Sequence, residues 1–94
     1  MRVIWTAGAA ASRRAAIAHI AEHDIRAARN QLFKVMTQAD RLAERPELGR
    51  PGRQPGTRFL SIARTPFLVA YRIRPRAQRI EVFRFIHTRQ NWQG

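Results

Sequence analysis

The hydrophobic period of this chain changes once, and it changes at a proline. Ile25, Ala28, Leu32, Val35, Met36, Ala39, Leu42 and Ala43 recur at steps of three and four, the spacing of an amphipathic helix. Asp24 stands before them as an N-cap. The helix must stop near Arg45, because Pro46 disfavours helical geometry at its predecessor and has no N–H to donate. Beyond a turn-rich stretch, PELGRPGRQPG (46–56), the chain reads in period two, with strand-like runs at 57–63, 67–73 and 79–86. Their connections, RTP and RPRAQ, are hairpin-short and predict an antiparallel meander. In the middle run Phe67, Val69, Tyr71 and Ile73 share one face, and Leu68, Ala70 and Arg72 the other.

Upstream, RVIWT (2–6) reads as one brief strand, and the alanine-rich segment 9–22 as a helix with Ala9 or Ala10, Ala16 and Ile20 on one face. Small side chains let a second helix approach closely, which suits an αα-hairpin. The expected fold is therefore α+β in the order β-α-α-β-β-β, a twisted antiparallel sheet with the helical hairpin across it. Leu32, Met36 and Ala39 are expected to face Val69 and Tyr71. Ninety-four residues make one domain, 1–94, and 45% apolar residues suffice for its core. Without cysteine there is no disulfide framework and no thiolate zinc site. The opening MRVIWTAG lacks a signal peptide's apolar run, and the longest apolar stretch, 67–71, is far short of the roughly 20 residues that span a bilayer. The expected location is the cytoplasm.

Charge constrains partners more than fold. Eighteen basic residues oppose six acidic ones, a net +12, and all the basic residues but Lys34 are arginines. Guanidinium forks match phosphate or carboxylate, so the surface suits nucleic acid or an acidic protein. A coding bias toward arginine accounts for Arg over Lys, but not for the shortage of Asp and Glu.

The chemistry this sequence supports is narrow. Three histidines without ligand spacing argue against a metal site; His19 and His23, four apart, read as solvent-side helix residues. GRPGRQPG leads into a strand rather than a helix, so it is no nucleotide-phosphate loop, and no cofactor is expected. Of the six acids only Glu47, in the loop, is a candidate base. What remains is basic: Arg50, Arg53, Arg58 and Arg64 around the loop and following strand, Arg84 in the last run, then His87 and Arg89. Attack of a 2'-OH on its neighbouring phosphate needs charge stabilisation and a proton shuttle, and Arg58, Arg84, His87 and Arg89 are of the right types. The same residues equally describe a solvated basic surface that binds an acidic partner. Tyr71 and Trp5 read as core residues, whereas Trp92, near the C-terminus, either packs on the sheet or meets a partner.

VIWT, the stretch IAHIAEHD, LAERPELGRPGR, GTRFLSIARTPFLVAYRI and IEVFRFIHTRQNW, taken in this order, resemble the ParE/RelE superfamily of bacterial toxins from type II toxin-antitoxin (plasmid stabilisation) systems. The resemblance covers nearly the whole chain. It implies the β-α-α-β-β-β fold and a small acidic antitoxin lying over the helical hairpin and sheet in a hetero-oligomer. Two activities occur on the scaffold: RelE-like members cleave mRNA on the ribosome without a metal, and ParE-like members block DNA gyrase. Nuclease members carry an arginine directly after the leading aromatic of the third strand, where this chain has Leu68. His87 lies near their catalytic tail position, but the tyrosine that commonly follows is replaced by Thr88, and Arg13 stands where an apolar residue is usual. The expectation is a growth-arresting toxin that engages gyrase through Arg50, Arg53, Arg58, Arg64, Arg89 and Trp92. A ribosome-dependent endonuclease and a non-catalytic nucleic-acid-binding module are the alternatives.

Overall fold

Two side-chain caps set where the helical hairpin starts and where it turns. In the computed structural model, which describes residues 1–90, strand β1 (Arg2–Trp5) runs into Thr6. The Thr6 hydroxyl accepts from the Ala9 amide at 3.2 Å and opens helix α1 (Ala7–Ala21). The helix thus begins two residues before the expected Ala9, because Thr6 caps it instead of ending the strand. Asp24 caps helix α2 (Ile25–Asp40) as expected, accepting from the Ala27 amide at 3.0 Å. The helical path then tightens into a 3₁₀ turn, Arg41–Ala43, and ends short of Pro46.

Strands β2 (Arg50–Pro51), β3 (Thr57–Ser61), β4 (Phe67–Arg74) and β5 (Arg79–His87) complete a five-stranded sheet in the order β1-β5-β4-β3-β2. The meander β3-β4-β5 is antiparallel as expected. Strand β1, however, pairs with β5 in parallel, Arg2 opposite Arg79 and Trp5 opposite Val82, so the sheet is mixed. Parallel neighbours need a long crossover, here everything between Thr6 and Gln78, and side-chain periodicity carries no strand direction. Strand β2 was hidden in the turn-rich loop; it is an edge strand, where Pro51 costs no ladder bond.

A β-bulge interrupts β5. Ala70 pairs with Arg84 but Tyr71 pairs with Val82, leaving Phe83 as the extra residue. The bulge shifts the alternation: Val82 and Phe85 belong to the helix-side core, whereas Phe83 packs with the cluster on the opposite face and shares a cleft there with Arg84.

The helix-side core gathers Ala9, Val35, Leu42, Phe67, Val69, Tyr71, Ile80, Val82 and Phe85, with α1 resting on β5 and α2 along α1. One expectation needs correcting. Leu32 is only half-buried and outside this cluster; the buried residues of α2 are Ala28, Val35 and Ala39. Because α2 packs chiefly on alanine-rich α1, its small residues turn inward and Leu32 sits at the flank. Leu42→Ala should therefore cost about 2–5 kcal/mol in urea denaturation, and Leu32→Ala markedly less. Equal losses would place Leu32 in the core after all.

Candidate functional site

No helix packs on the second face of the sheet among the described residues. Its centre is a smaller cluster of Phe59, Leu68, Ala70 and Ile86, with Phe83 packed against it. A cleft of about 370 Å³ opens here, lined by Arg53, Gln54, Thr57, Phe59, Ala70, Phe83 and Arg84. Pairing explains its shape: Phe59 on β3 and Arg84 on β5 both oppose Ala70, so a methyl group lies between those two side chains. The bulge sets Phe83 beside Arg84 on this face. Gly52 brings the Arg53 loop onto Phe59; a Cβ at Gly52 would fall 2.7 Å from the ring's Cε2.

Arginines surround the cleft. The Arg72 guanidinium stacks 4.1 Å from the Phe83 ring centre and that of Arg50 lies 5.4 Å from Phe59. Arg74 opposes Arg79, and Arg79 opposes Arg2, which sets three like charges in register across three strands. Glu81 is the carboxylate between them: its Oε1 accepts from Arg74 Nε at 3.2 Å, and its Oε2 accepts from Arg79 Nε at 3.2 Å. Arg72 Nε stands 3.8 Å from Oε1. The Arg74 hydrogen bond foremost, then that of Arg79, holds the Glu81 carboxyl below its ordinary range. A carboxylate with a depressed pKa contributes its stabilisation at neutral pH and loses it as pH falls through the depressed value.

On the helix side, Tyr71 is fully buried and its hydroxyl staples the loop to the sheet. It donates to the Pro46 carbonyl at 2.6 Å and accepts from the Gly49 amide at 2.9 Å. Burial raises its pKa above the ordinary value, with the Gly49 hydrogen bond opposing. Gly49 cannot carry a side chain here, since a Cβ would lie 2.7 Å from the Tyr71 ring and from the Phe59 carbonyl. Arg58 is committed to the same loop, with Nη1 donating to the Gly49 carbonyl at 2.6 Å.

The four candidate nuclease residues do not meet around one point. Arg84 lies exposed on the cleft face. His87 sits at the end of β5 on the helix side, its ring edge-to-face with Phe67 at 5.6 Å and its Nδ1 accepting from the Arg89 amide at 3.0 Å. Arg58 holds loop carbonyls, and Arg89 is exposed in the turn after β5. Of the other candidates, Arg50 and Arg53 flank the cleft, and Arg64, exposed, holds a positive-φ position in the β3–β4 turn. Trp92 lies outside the described residues. Trp5 packs against the core, 6.3 Å from Phe85, beneath the Arg13 guanidinium at 4.4 Å, which accounts for an arginine in a position expected to be apolar. His19 and His23 are exposed with rings 5.7 Å apart, and no group of three metal-ligating side chains exists among the described residues. None of the described helices is long and apolar enough to cross a membrane. Sequence reasoning missed Phe83 and Arg72. The signal was present in IEVFRFIH, where Val82 next to Phe83 breaks period two.

The fold and its similarities place this α+β domain among the ParE-type toxins of type II toxin-antitoxin systems. The chain belongs to the family described as "ParE toxin of type II toxin-antitoxin system, parDE", whose model matches residues 3–92. It is 35% identical over 91 residues to "Putative toxin Y4kP" of Sinorhizobium fredii, spanning 97% of this chain and 92% of that protein. It also superposes on a chain from the solved structure titled "Chromosomal ParDE TA system from P. aeruginosa" with a TM-score of 0.80 at 27% identity, covering 93% of this chain and 95% of that one.

The Tyr71 staple gives a direct test. Tyr71→Phe keeps the ring but leaves the Gly49 amide and Pro46 carbonyl without this partner, so it should lower unfolding free energy by about 1–3 kcal/mol. An unchanged denaturation midpoint would mean that the loop does not depend on the hydroxyl.

Proposed function

We propose that this ParE-family toxin arrests growth by binding DNA gyrase rather than by cutting RNA, and that an acidic antitoxin neutralises it in a cytoplasmic hetero-oligomer. The observation that carries this reading is the placement of Arg84 and His87 on opposite faces of the sheet, Arg84 opposite Ala70 and His87 opposite Phe67. Cleavage by an internal hydroxyl needs a phosphate-holding cation and a proton shuttle on the same reacting group, the shuttle's heavy atom within about 2.6–3.2 Å of the oxygen whose proton it moves. Leu68 supports it too: the position that carries arginine in nuclease members of the superfamily is here an apolar side chain 1% exposed, with no group to offer a phosphate. Toxicity then rests on a binding surface, for which the tail after β5, with Arg89 and Trp92, has the aromatic-plus-arginine composition of interface hot spots.

Inducible expression in bacteria tests the mechanism. Growth arrest should come with DNA-damage signalling and intact transcripts, and should persist in His87→Ala. Truncation before Arg89 should abolish arrest while antitoxin binding survives. Transcript cleavage by the purified protein, lost in His87→Ala, would restore the endonuclease reading.

For the antitoxin, helix α2 supplies the surface. Phe33 is 69% and Ile25 57% exposed, on one flank of the helix with exposed Arg29 between them. An acidic chain with apolar anchors complements that flank. Phe33→Ala should weaken antitoxin binding about 30-fold or more, and the wild-type association rate should fall steeply with salt. A rate independent of ionic strength in stopped-flow mixing would remove the arginines from the encounter.

A further inference from the structure

Counted by type, three histidines and no cysteine argue against a metal site; counted by position, two of them share one helical turn. His19 and His23 stand at the end of helix α1 in the run HIAEH (19–23). The order His-x-x-Glu-His is one in which zinc-binding helices set two imidazoles on the same face with a carboxylate between them in sequence. Helical geometry persists as far as the second histidine, since the amides of His23 and Asp24 both donate to the Ile20 carbonyl, at 3.1 and 2.9 Å. The two rings therefore lie on one face, exposed, with centres 5.7 Å apart.

That separation is close to what a shared ion needs. With a Zn–N bond of about 2.0–2.1 Å, two imidazoles on one tetrahedral ion have ring centres about 5.2 Å apart, so a small turn about exposed side-chain torsions closes the gap. One ring is already oriented. His19 Nδ1 stands 3.5 Å from Glu22 Oε2, which leaves Nε2 as the ligand atom. This is the carboxylate–histidine–metal arrangement, in which the outer carboxylate fixes the ring and raises its basicity. Glu22 thus serves behind His19 rather than on the ion, in keeping with the lack of any group of three ligating side chains among the described residues.

Charge singles out the same turn. At +12 the protein as a whole repels cations, but its longest run without lysine or arginine, 15–25, contains this turn and two of the six acids, Glu22 and Asp24. The C-terminal end of α1 adds the negative pole of its dipole. Both histidines lie outside the core, and an ion pair between side chains 76% and 70% exposed contributes little to folding by itself.

We propose that His19 and His23 chelate one late first-row divalent cation of the Zn2+ type through their ring nitrogens, with Glu22 as the outer partner of His19 and water in the remaining positions. Imidazole selects such an ion over Mg2+, which takes oxygen ligands. The bound ion clips the last turn of α1 at the corner of the helical hairpin. The site is independent of the gyrase and antitoxin readings above.

Calorimetric titration of the untagged full-length chain with Zn2+ tests it. One ion should bind saturably, and Mg2+ should give no signal. His19→Gln and His23→Gln should each weaken binding at least about thirtyfold, because the second ligand no longer acts intramolecularly. Glu22→Gln should weaken it about tenfold through the lost outer carboxylate, and His87→Gln, at the third imidazole, should leave it unchanged. In amide hydrogen exchange, Zn2+ should slow His23 and Asp24 in the wild type but not slow Asp24 in His23→Gln. Circular dichroism of each variant checks that the fold is retained. Absence of saturable binding up to millimolar Zn2+ would overturn the site, as would binding that survives His19→Gln or that falls equally in His87→Gln. Glu22→Gln binding as tightly as the wild type would overturn the role given to the carboxylate.

Discussion

Strand β4 is buried on both faces, and the remaining architecture follows from that. Residues 67–71 are all at most 3% exposed, with Phe67, Val69 and Tyr71 in one core and Leu68 and Ala70 in the other. A strand apolar on both sides must sit inside the sheet with neighbours to left and right, and each face must find a cover. The helical hairpin covers one. The other keeps a small cluster, so the domain has a thick side and a thin side. A chain with 18 basic residues then has to place its cations at the margins of both.

Small side chains decide how close the layers come. Ala9 in α1 and Ala28 and Ala39 in α2 are almost fully buried and let the helices approach each other. Gly49 and Gly52 do the same for the loop, one against Tyr71 and the other against Phe59. These contacts, with the Tyr71 and Arg58 hydrogen bonds, order a segment rich in proline and glycine that has almost no ladder of its own. Arg53 reaches the cleft because that loop is fixed. The Tyr71 and Arg58 hydrogen bonds and the close approach of Gly49 and Gly52 together tie the basic loop to the sheet.

How much of this was legible follows from what sequence periodicity encodes. The second helix, its Asp24 cap and the antiparallel meander were legible because spacing, a capping side chain and short connections each report local geometry. The parallel pairing of β1 was not, since direction depends on the whole crossover. The inward face of α2 was misjudged at Leu32 for a related reason: helical spacing gives a stripe, but the neighbour selects which edge of it is buried, and here the neighbour is an alanine-rich helix. At the site, the arginines were legible by type. Their separation onto two faces was not, because a bulge at Phe83 reverses the facing of everything after it in β5, and alternation counted straight through would have left Arg84 and Phe85 on each other's sides.

That one inserted residue has a functional consequence. Without it, a residue 84 counted straight from Val82 would face the helices, and His87 would face the cleft, beside the cations. The bulge exchanges them: Arg84 enters the cleft and His87 stacks on Phe67. The cleft therefore gains an electrostatic clamp and loses its only nearby imidazole. Acid–base cleavage of a phosphodiester needs both groups on one reacting centre, and this arrangement sets them apart. At this single backbone irregularity the cation that could hold a phosphate and the imidazole that could move a proton part company, one on each face of the sheet.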